Sequence, residues 1–201
     1  MWVTSIKANL RTHLNPQRNV KYCTMTLEEV KQTVRNIPDF PIPGIQFKDL
    51  TTAFLNPDAL RTMKEAMVAL YKDKGITKVV GIESRGFIMA PAVAIELGAG
   101  FVPIRKPGKL PGEVIEETYA KEYGTDTIQI HKGALSEDDI VLLHDDLLAT
   151  GGTMLAAVKL CQKFGVKKIY VNFLTELDGL EGRKVFDPSI EVTSLFHFPD
   201  K

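Results

Sequence analysis

Residues 140–153 place an apolar strand, two acids, a glycine loop and a helix start in immediate succession. The run at 140–143 is continuously apolar and begins with β-branched residues, which is typical of a strand buried on both faces. Good helix formers follow Thr153, with no breaker until Gly165. Ligands of open α/β sheets bind beyond the carboxyl ends of the strands. This order therefore predicts an α/β fold with a ligand site at the glycine loop.

The loop itself has the chemistry of a phosphate site. The start of a helix offers free N–H groups and partial positive charge. Gly151 and Gly152 allow close backbone approach, and the flanking Thr150 and Thr153 add hydroxyl donors. The acid pair Asp145–Asp146 would repel a phosphate, so it suits sugar hydroxyls or a Mg²⁺ that the ligand carries. The P-loop lysine is missing, and G-x-G-x-x-G does not fit.

A tight turn beside two solvated acids is the simpler interpretation of Thr-Gly-Gly-Thr alone. With strand, acid pair and helix in register, residues 145–153 instead resemble the phosphoribosyl-pyrophosphate (PRPP) signature of the type I phosphoribosyltransferases, in the form found in members that use adenine. The resemblance runs from about Asp39 to Phe198. It implies that family's fold: a central, mostly parallel sheet flanked by helices, with a small hood and a flexible β-hairpin loop.

The resemblance also implies roles for the signature residues. The 5′-phosphate of PRPP would be bound by Ala149, Thr150, Gly151, Gly152 and Thr153. The ribose would be held by Asp145 and Asp146, with the Mg²⁺ carried by PRPP near Asp145.

Composition sets bounds on the class of protein. A chain of 201 residues is one domain with at most a small appendage. Lys plus Arg and Asp plus Glu are both 25, which argues against nucleic acid as the main partner. No apolar run is long enough to span a bilayer. Cys23 and Cys161 have no metal-ligand spacing, so a cytoplasmic setting with free thiols is expected.

The first 27 residues are basic and contain no Asp or Glu. Such a leader suits either a transit peptide or a surface arm. Members of the resembled family often begin near Met25, so we expect an extension at 1–24 and a phosphoribosyltransferase domain at 25–201. Thr26 and Glu29 form a capping box for a helix whose apolar face continues to Ile37, and Pro38 should stop it.

Residues 38–49 are rich in proline and aromatic residues. They suit either a plug over the core or a hood against which a flat base can lie. The resemblance implies the hood, with Phe47 stacking on adenine and the backbone of Gln46 reading the ring edge. Lys48 would adjoin the base and Leu177 would pack on its far face. Gln46 and Lys48 depart from the commonest family pattern, which leaves their side-chain roles open.

A second strand, loop and helix are predicted around Lys78–Ile82 and the sequence Glu-Ser-Arg-Gly at 83–86. An exposed turn arginine is common, but Arg85 also supplies fixed positive charge for an anion. This segment resembles the family's pyrophosphate loop, which implies pyrophosphate contacts from Glu83, Ser84 and Arg85. It also implies a cis peptide bond between Glu83 and Ser84.

Residues 105–112 are basic and interrupted by proline and glycine. They suit either a solvated linker or a mobile flap over a polyanion. The resemblance implies a flexible loop at about 105–125, in which Arg105, Lys106 and Lys109 neutralise pyrophosphate, partly across a homodimer. It assigns general-base catalysis to Glu122, with Tyr123 closing beside it at a hairpin tip.

The implied reaction is adenine + PRPP → AMP + pyrophosphate, with Mg²⁺ and no nucleic acid or membrane partner. Three alternatives are a 6-oxopurine transferase, a PRPP-sensing DNA-binding regulator and a non-catalytic nucleotide-binding subunit. Ala149 stands where 6-oxopurine enzymes usually carry Asp, which favours adenine. The 27-residue arm is too short for a helix-turn-helix domain, and Arg85 and Glu122 would be free to disappear from a non-catalytic subunit.

Overall fold

The computed structural model describes residues 25–120 and 124–199. The main sheet contains five strands: Lys78–Ile82 (β3), Gly100–Ile104 (β4), Ile140–Leu148 (β7), Lys168–Leu177 (β8) and Glu191–Phe198 (β9). Their order across the sheet is β4-β3-β7-β8-β9, and every neighbouring pair is parallel. The predicted α/β fold with a parallel central sheet is confirmed.

Both faces of this sheet are buried. The flanking helices are Leu27–Thr33 (α1), Thr51–Phe54 (α2), Pro57–Tyr71 (α3), Gly86–Leu97 (α4) and Gly152–Gln162 (α5). Val141 and Leu143 belong to the core under α5, while Leu142 belongs to the core under α3 and α4. Alternate side chains of one strand thus enter opposite cores, which is why its sequence is continuously apolar.

Two antiparallel hairpins stand beside the sheet. Arg35–Pro38 (β1) pairs with Gln46–Asp49 (β2), and Val114–Ala120 (β5) pairs with Thr125–His131 (β6). Two 3₁₀ turns, Asp178–Leu180 and Gly182–Val185, connect β8 to β9. Within residues 25–120 and 124–199, no helix has the length and apolar character that a membrane crossing requires.

Local signals mark the start of two helices, and the first of them is the predicted capping box. Thr26 and Glu29 form the reciprocal capping box of α1. Asn56 caps α3 by accepting hydrogen bonds from the N–H groups of Asp58 and Ala59, with Pro57 as the first helical residue.

The predicted extent of the first helix is wrong. Helix α1 ends at Thr33, and Val34 already has extended backbone angles. Ile37 lies in β1 opposite Phe47, so its apolar side chain belongs to the hood hairpin and not to a helical stripe. Tertiary pairing with β2 overrides the helical periodicity because the ladder supplies the backbone hydrogen bonds of this segment.

Candidate active site

The signature strand is longer than the sequence predicted. Asp145 and Asp146 lie inside β7 and not beyond its end, because β7 continues to pair with β8 as far as Leu148 opposite Glu176. The loop therefore contains only residues 149–151, and α5 begins at Gly152. Gly151 has a φ of 83°, a left-handed conformation that favours glycine. The helix N-terminus thus opens directly beyond the carboxyl end of β7.

The phosphate loop rests on the backbone of the turn after β8. A Cβ atom built on Gly182 would lie 2.1 Å from the carbonyl oxygen of Ala149. A Cβ atom built on Gly151 would lie 2.7 Å from the carbonyl oxygen of Gly182. Only glycines allow this approach, so Gly182 sets the position of the loop. Sequence analysis missed Gly182, whose only signal was its place in a turn.

The two acids of the pair have different surroundings. Asp146 is 5% exposed and forms an ion pair with the guanidinium of Arg85. The carboxylate of Asp145 accepts a hydrogen bond from the backbone N–H of Asp146 at 2.9 Å. Burial, and then the charge of Asp146, raise the pKa of Asp145 well above its usual range. A cation bound beside Asp145 would oppose both effects.

The second loop is tied to the basic flap. Arg85 stands at the start of α4, and the predicted cis peptide bond between Glu83 and Ser84 is confirmed. The Glu83 carboxylate accepts hydrogen bonds from Arg105 at 3.1 and 3.2 Å and from the Lys106 N–H at 2.9 Å. The Arg105 bond is the largest cause that lowers the pKa of Glu83. A carboxylate repels pyrophosphate, so Glu83 positions the flap and any ligand contact of its own comes from its backbone.

The remaining flap residues differ in their partners. Lys106 forms an ion pair with Asp126 on β6. Lys109 is exposed, and its carbonyl oxygen accepts a bond from Arg105 at 3.3 Å. The predicted catalytic residue Glu122 and the predicted pyrophosphate-binding residue Tyr123 lie outside the described residues.

A cleft of about 540 Å³ brings the predicted base side and phosphate side together. The base side is lined by Gln46, Phe47, Lys48 and Leu177, and the phosphate side by Ala149, Thr150, Gly152 and Thr153. An adjoining cavity of about 220 Å³ is lined by Arg85, both acids and residues 149–153. Residues 46–48, which precede the phosphate loop by about 100 positions, therefore line one continuous site with it.

The hood presents an aromatic ring to this cleft. Phe47 contacts Phe40 edge to face, with ring centroids 5.1 Å apart, and the Arg85 guanidinium lies 5.7 Å from the Phe47 ring. Asn36 holds both neighbours of Phe47: it donates to the Gln46 side chain at 2.7 Å and accepts from Lys48 at 3.0 Å. The two departures from the family pattern are thus joined by one residue that sequence analysis did not single out.

Comparison with known proteins agrees with this geometry. The phosphoribosyl transferase domain family matches residues 51–193. The adenine phosphoribosyltransferase of Phocaeicola vulgatus is 65% identical over 171 residues, which are 85% of this chain and 98% of the relative. The chain belongs to the adenine phosphoribosyltransferase family.

Solved structures of adenine phosphoribosyltransferases share the fold. The Giardia lamblia APRTase, crystallised with 9-deazaadenine, has a TM-score of 0.83 and 48% identity, covering 87% of this chain and 99% of its own. The Rhodothermus marinus enzyme has a TM-score of 0.81 and 48% identity, covering 86% and 98%. The type I phosphoribosyltransferase fold expected from the signature is therefore confirmed.

One further cleft residue escaped the sequence analysis of this adenine phosphoribosyltransferase homologue. Tyr119 lines the cleft from β5, and its hydroxyl lies 3.0 Å from the Thr153 hydroxyl. Alternation along β5 was the available signal, because Ile115, Glu117 and Tyr119 share the half-buried face that packs on α5. The sequence analysis assigned roles to Glu122 and Tyr123 at the hairpin tip and none to Tyr119.

Proposed function

We propose that this protein transfers the phosphoribosyl group of PRPP to adenine and releases AMP and pyrophosphate. The single cleft that joins an aromatic hood to a glycine-rich helix N-terminus carries the proposal. A similar protein was crystallised with the adenine analogue 9-deazaadenine, which supports adenine as the base. The role in the cell is purine salvage.

The phosphate end of the site binds the 5′-phosphate of PRPP. Residues 149–153 supply backbone N–H groups and two hydroxyls at the start of α5, where the helix dipole favours an anion. Asp146, neutralised by Arg85, and Asp145 accept hydrogen bonds from the ribose hydroxyls. These contacts hold the anomeric carbon in place while the bond to pyrophosphate breaks.

The pyrophosphate end relies on positive charge. Arg85, Arg105, Lys106 and Lys109 come from the Glu83–Gly86 loop and the basic flap that Glu83 ties to it. They stabilise the negative charge that develops on the leaving pyrophosphate. The Ser84 hydroxyl and Tyr123 add donors at the same end.

Mg²⁺ fits the donor set near Asp145. Mg²⁺ is commonly bound by one or two carboxylates together with substrate phosphates. The carboxylate of Asp145, whose charge is destabilised beside Asp146, is such a partner. When bound with PRPP, the ion neutralises pyrophosphate charge.

The base end positions adenine and receives its proton. Phe47 and Leu177 enclose the planar ring, and the backbone of Gln46 and Lys48 reads its edge. Adenine loses a proton as the new C–N bond forms, and Glu122 accepts it as general base. Displacement passes through an oxocarbenium-like state, so water must be kept from the reacting carbon.

The assembly is a homodimer in the cytoplasm, and residues 25–201 form the transferase domain behind an extension at 1–24. Exposed apolar side chains support the dimer. On α4, Ile95 is 79% exposed and Ile88 is 43% exposed, and Leu55, directly after α2, is 84% exposed. The buried free thiol of Cys161 suits a reducing compartment. Light scattering of the purified protein and cell fractionation test the two statements.

Product formation tests the function directly. Wild-type protein with Mg²⁺, PRPP and adenine should give AMP and pyrophosphate in equal amounts. Thr153→Val should retain the fold but lose much of the activity, because the phosphate loses one hydroxyl donor. PRPP consumption without AMP would contradict the proposal.

A further inference from the structure

Tyr119 connects the two anion-binding ends of the cleft. Its hydroxyl lies 3.0 Å from the Thr153 hydroxyl at the start of α5 and 3.3 Å from Oδ2 of Asp126 on β6. The same Oδ2 atom accepts from the ammonium group of Lys106 in the basic flap. Tyr119 thus links the proposed 5′-phosphate loop, through Asp126, to Lys106, which is proposed to bind pyrophosphate.

The number of available protons determines which hydroxyl donates in each of these hydrogen bonds in the free protein. A carboxylate only accepts hydrogen bonds, so Tyr119 donates its one proton to Asp126. The Thr153 hydroxyl must then donate to the Tyr119 oxygen. The other carboxylate oxygen of Asp126 already accepts the backbone N–H of Thr127 at 2.9 Å.

A phosphate on the loop requires the opposite order. Phosphate oxygens accept from Thr153, so the Thr153 proton turns to the ligand and its oxygen becomes an acceptor for Tyr119. A chain from Tyr119 through Thr153 to the phosphate is cooperative, since each donor is polarised by the next acceptor. Asp126 then loses the hydrogen bond from Tyr119, while the ammonium group of Lys106 stays bound to it.

We propose that Tyr119 is a positioning residue that couples occupancy of the 5′-phosphate loop to the hold of Asp126 on Lys106. The inference rests on the proposed function of the two anion sites. Without the hydrogen bond from Tyr119, the charge of Asp126 is less stabilised, so Asp126 binds Lys106 more tightly and disfavours pyrophosphate beside it. An occupied 5′-phosphate loop therefore weakens pyrophosphate binding, which assists departure of pyrophosphate while the nucleotide stays bound.

Calorimetry of pyrophosphate binding tests the coupling. The Kd of pyrophosphate with Mg²⁺ is measured with and without saturating ribose 5-phosphate in the full-length protein. The Kd with ribose 5-phosphate is divided by the Kd without it, which cancels effects that are common to both states. We expect the wild-type ratio to exceed that of Tyr119→Phe by roughly three- to tenfold, the worth of one exchanged hydrogen bond. Asp126→Asn should lower the ratio in the same way.

Thr127→Val is the matched control. The Thr127 hydroxyl bonds the Thr118 hydroxyl at 2.8 Å on the same hairpin, but it takes no part in the Tyr119 chain. This variant should keep the wild-type ratio. Equal ratios in wild type and Tyr119→Phe, or a loss of coupling in Thr127→Val, would overturn the inference.

The same samples separate this inference from the proposed function. AMP formation by wild type together with equal ratios would overturn the coupling and leave the transferase proposal standing. Absence of both AMP formation and ribose 5-phosphate binding would overturn the transferase proposal, and the coupling with it.

Discussion

Arg85 and Asp146 form an ion pair that joins two separate strand–loop–helix units of the sheet. The Asp146 side chain is only 7% exposed, whereas that of Arg85 is 44% exposed. The buried charge of Asp146 is stabilised by Arg85, because an unpaired buried charge is costly. The pair also sets the guanidinium beside the loop that follows β7, so the ribose and pyrophosphate ends of the site are built together.

Asp146→Asn should weaken PRPP binding by roughly tenfold or more. The amide cannot neutralise Arg85 and is a poorer acceptor for ribose hydroxyls. Calorimetric titration with PRPP and Mg²⁺ measures the change. Glu96→Gln, which removes an exposed carboxylate paired with Lys64 on the helix surface, is the control and should leave the affinity unchanged. An unchanged affinity in Asp146→Asn would place the ribose contacts elsewhere.

Gly182→Ala should displace the phosphate loop without touching ligand. The added methyl group meets the Ala149 carbonyl oxygen, a backbone atom that must move. We expect AMP affinity to fall far more than adenosine affinity, with a stability loss of roughly 1–3 kcal/mol. Gly100→Ala is the matched control, since its methyl group meets only the flexible Lys78 side chain. Parallel losses for AMP and adenosine would refute the proposed dependence of the loop on Gly182.

Phe47→Ala should raise the KM for adenine by roughly tenfold or more while the Kd of PRPP stays near its wild-type value. The ring supplies stacking area for the base, and stacking is worth most in a desolvated cleft. Steady-state kinetics at saturating PRPP measure the first quantity and calorimetry the second. A variant that loses PRPP affinity but keeps its KM for adenine would remove Phe47 from the base site.

Glu122→Gln should cut turnover by ~10²-fold or more and leave PRPP binding nearly unchanged, because a general base acts only in the chemical step. Single-turnover AMP formation gives the rate, and PRPP titration gives the affinity. Near-normal turnover would exclude Glu122 from the mechanism.

His144 makes the stability of the fold depend on pH. It is fully buried, its Nδ1 lies 3.0 Å from Asn172 Oδ1, and burial lowers the pKa of His144 from 6.5 to about 4. Unfolded His144 therefore binds a proton at a higher pH than folded His144 does. Its contribution is complete above pH 6.5 and is lost as the pH falls towards 4.

Between pH 7 and pH 5 this residue should reduce the free energy of unfolding by about 2 kcal/mol. Asp145 acts in the opposite direction, because its raised pKa favours proton uptake by the folded state. Urea unfolding of wild type and His144→Leu at both pH values isolates the histidine. The variant should lose less stability over this interval than wild type, and an equal loss in both would contradict the assignment.

The sequence predicted the elements in which local pattern and tertiary environment agree. The strand Lys78–Ile82 has the expected boundaries because it is a short apolar run bounded by loops. The cap at Thr26 was equally visible, since a cap is a local interaction. The signature loop followed from residue types that suit a phosphate at a helix start.

Long-range pairing accounts for what the sequence did not reveal. The predicted strand ended before Asp145 and Asp146 because they are charged, but pairing with β8 keeps them in the strand. Ile37 read as helical because its spacing was helical, but Phe47 lies opposite it. Gly182 and Tyr119 act through contacts with residues more than 30 positions away, which no local pattern encodes.

A competition assay tests the central claim most directly. Wild-type protein, Mg²⁺ and PRPP are mixed with equal concentrations of adenine, hypoxanthine, guanine and xanthine, and the mononucleotides are separated and quantified. The account predicts AMP as the dominant product, with Phe47→Ala lowering AMP and raising no other nucleotide. Formation of a 6-oxopurine nucleotide in preference to AMP, or PRPP binding with no nucleotide formed, would contradict it.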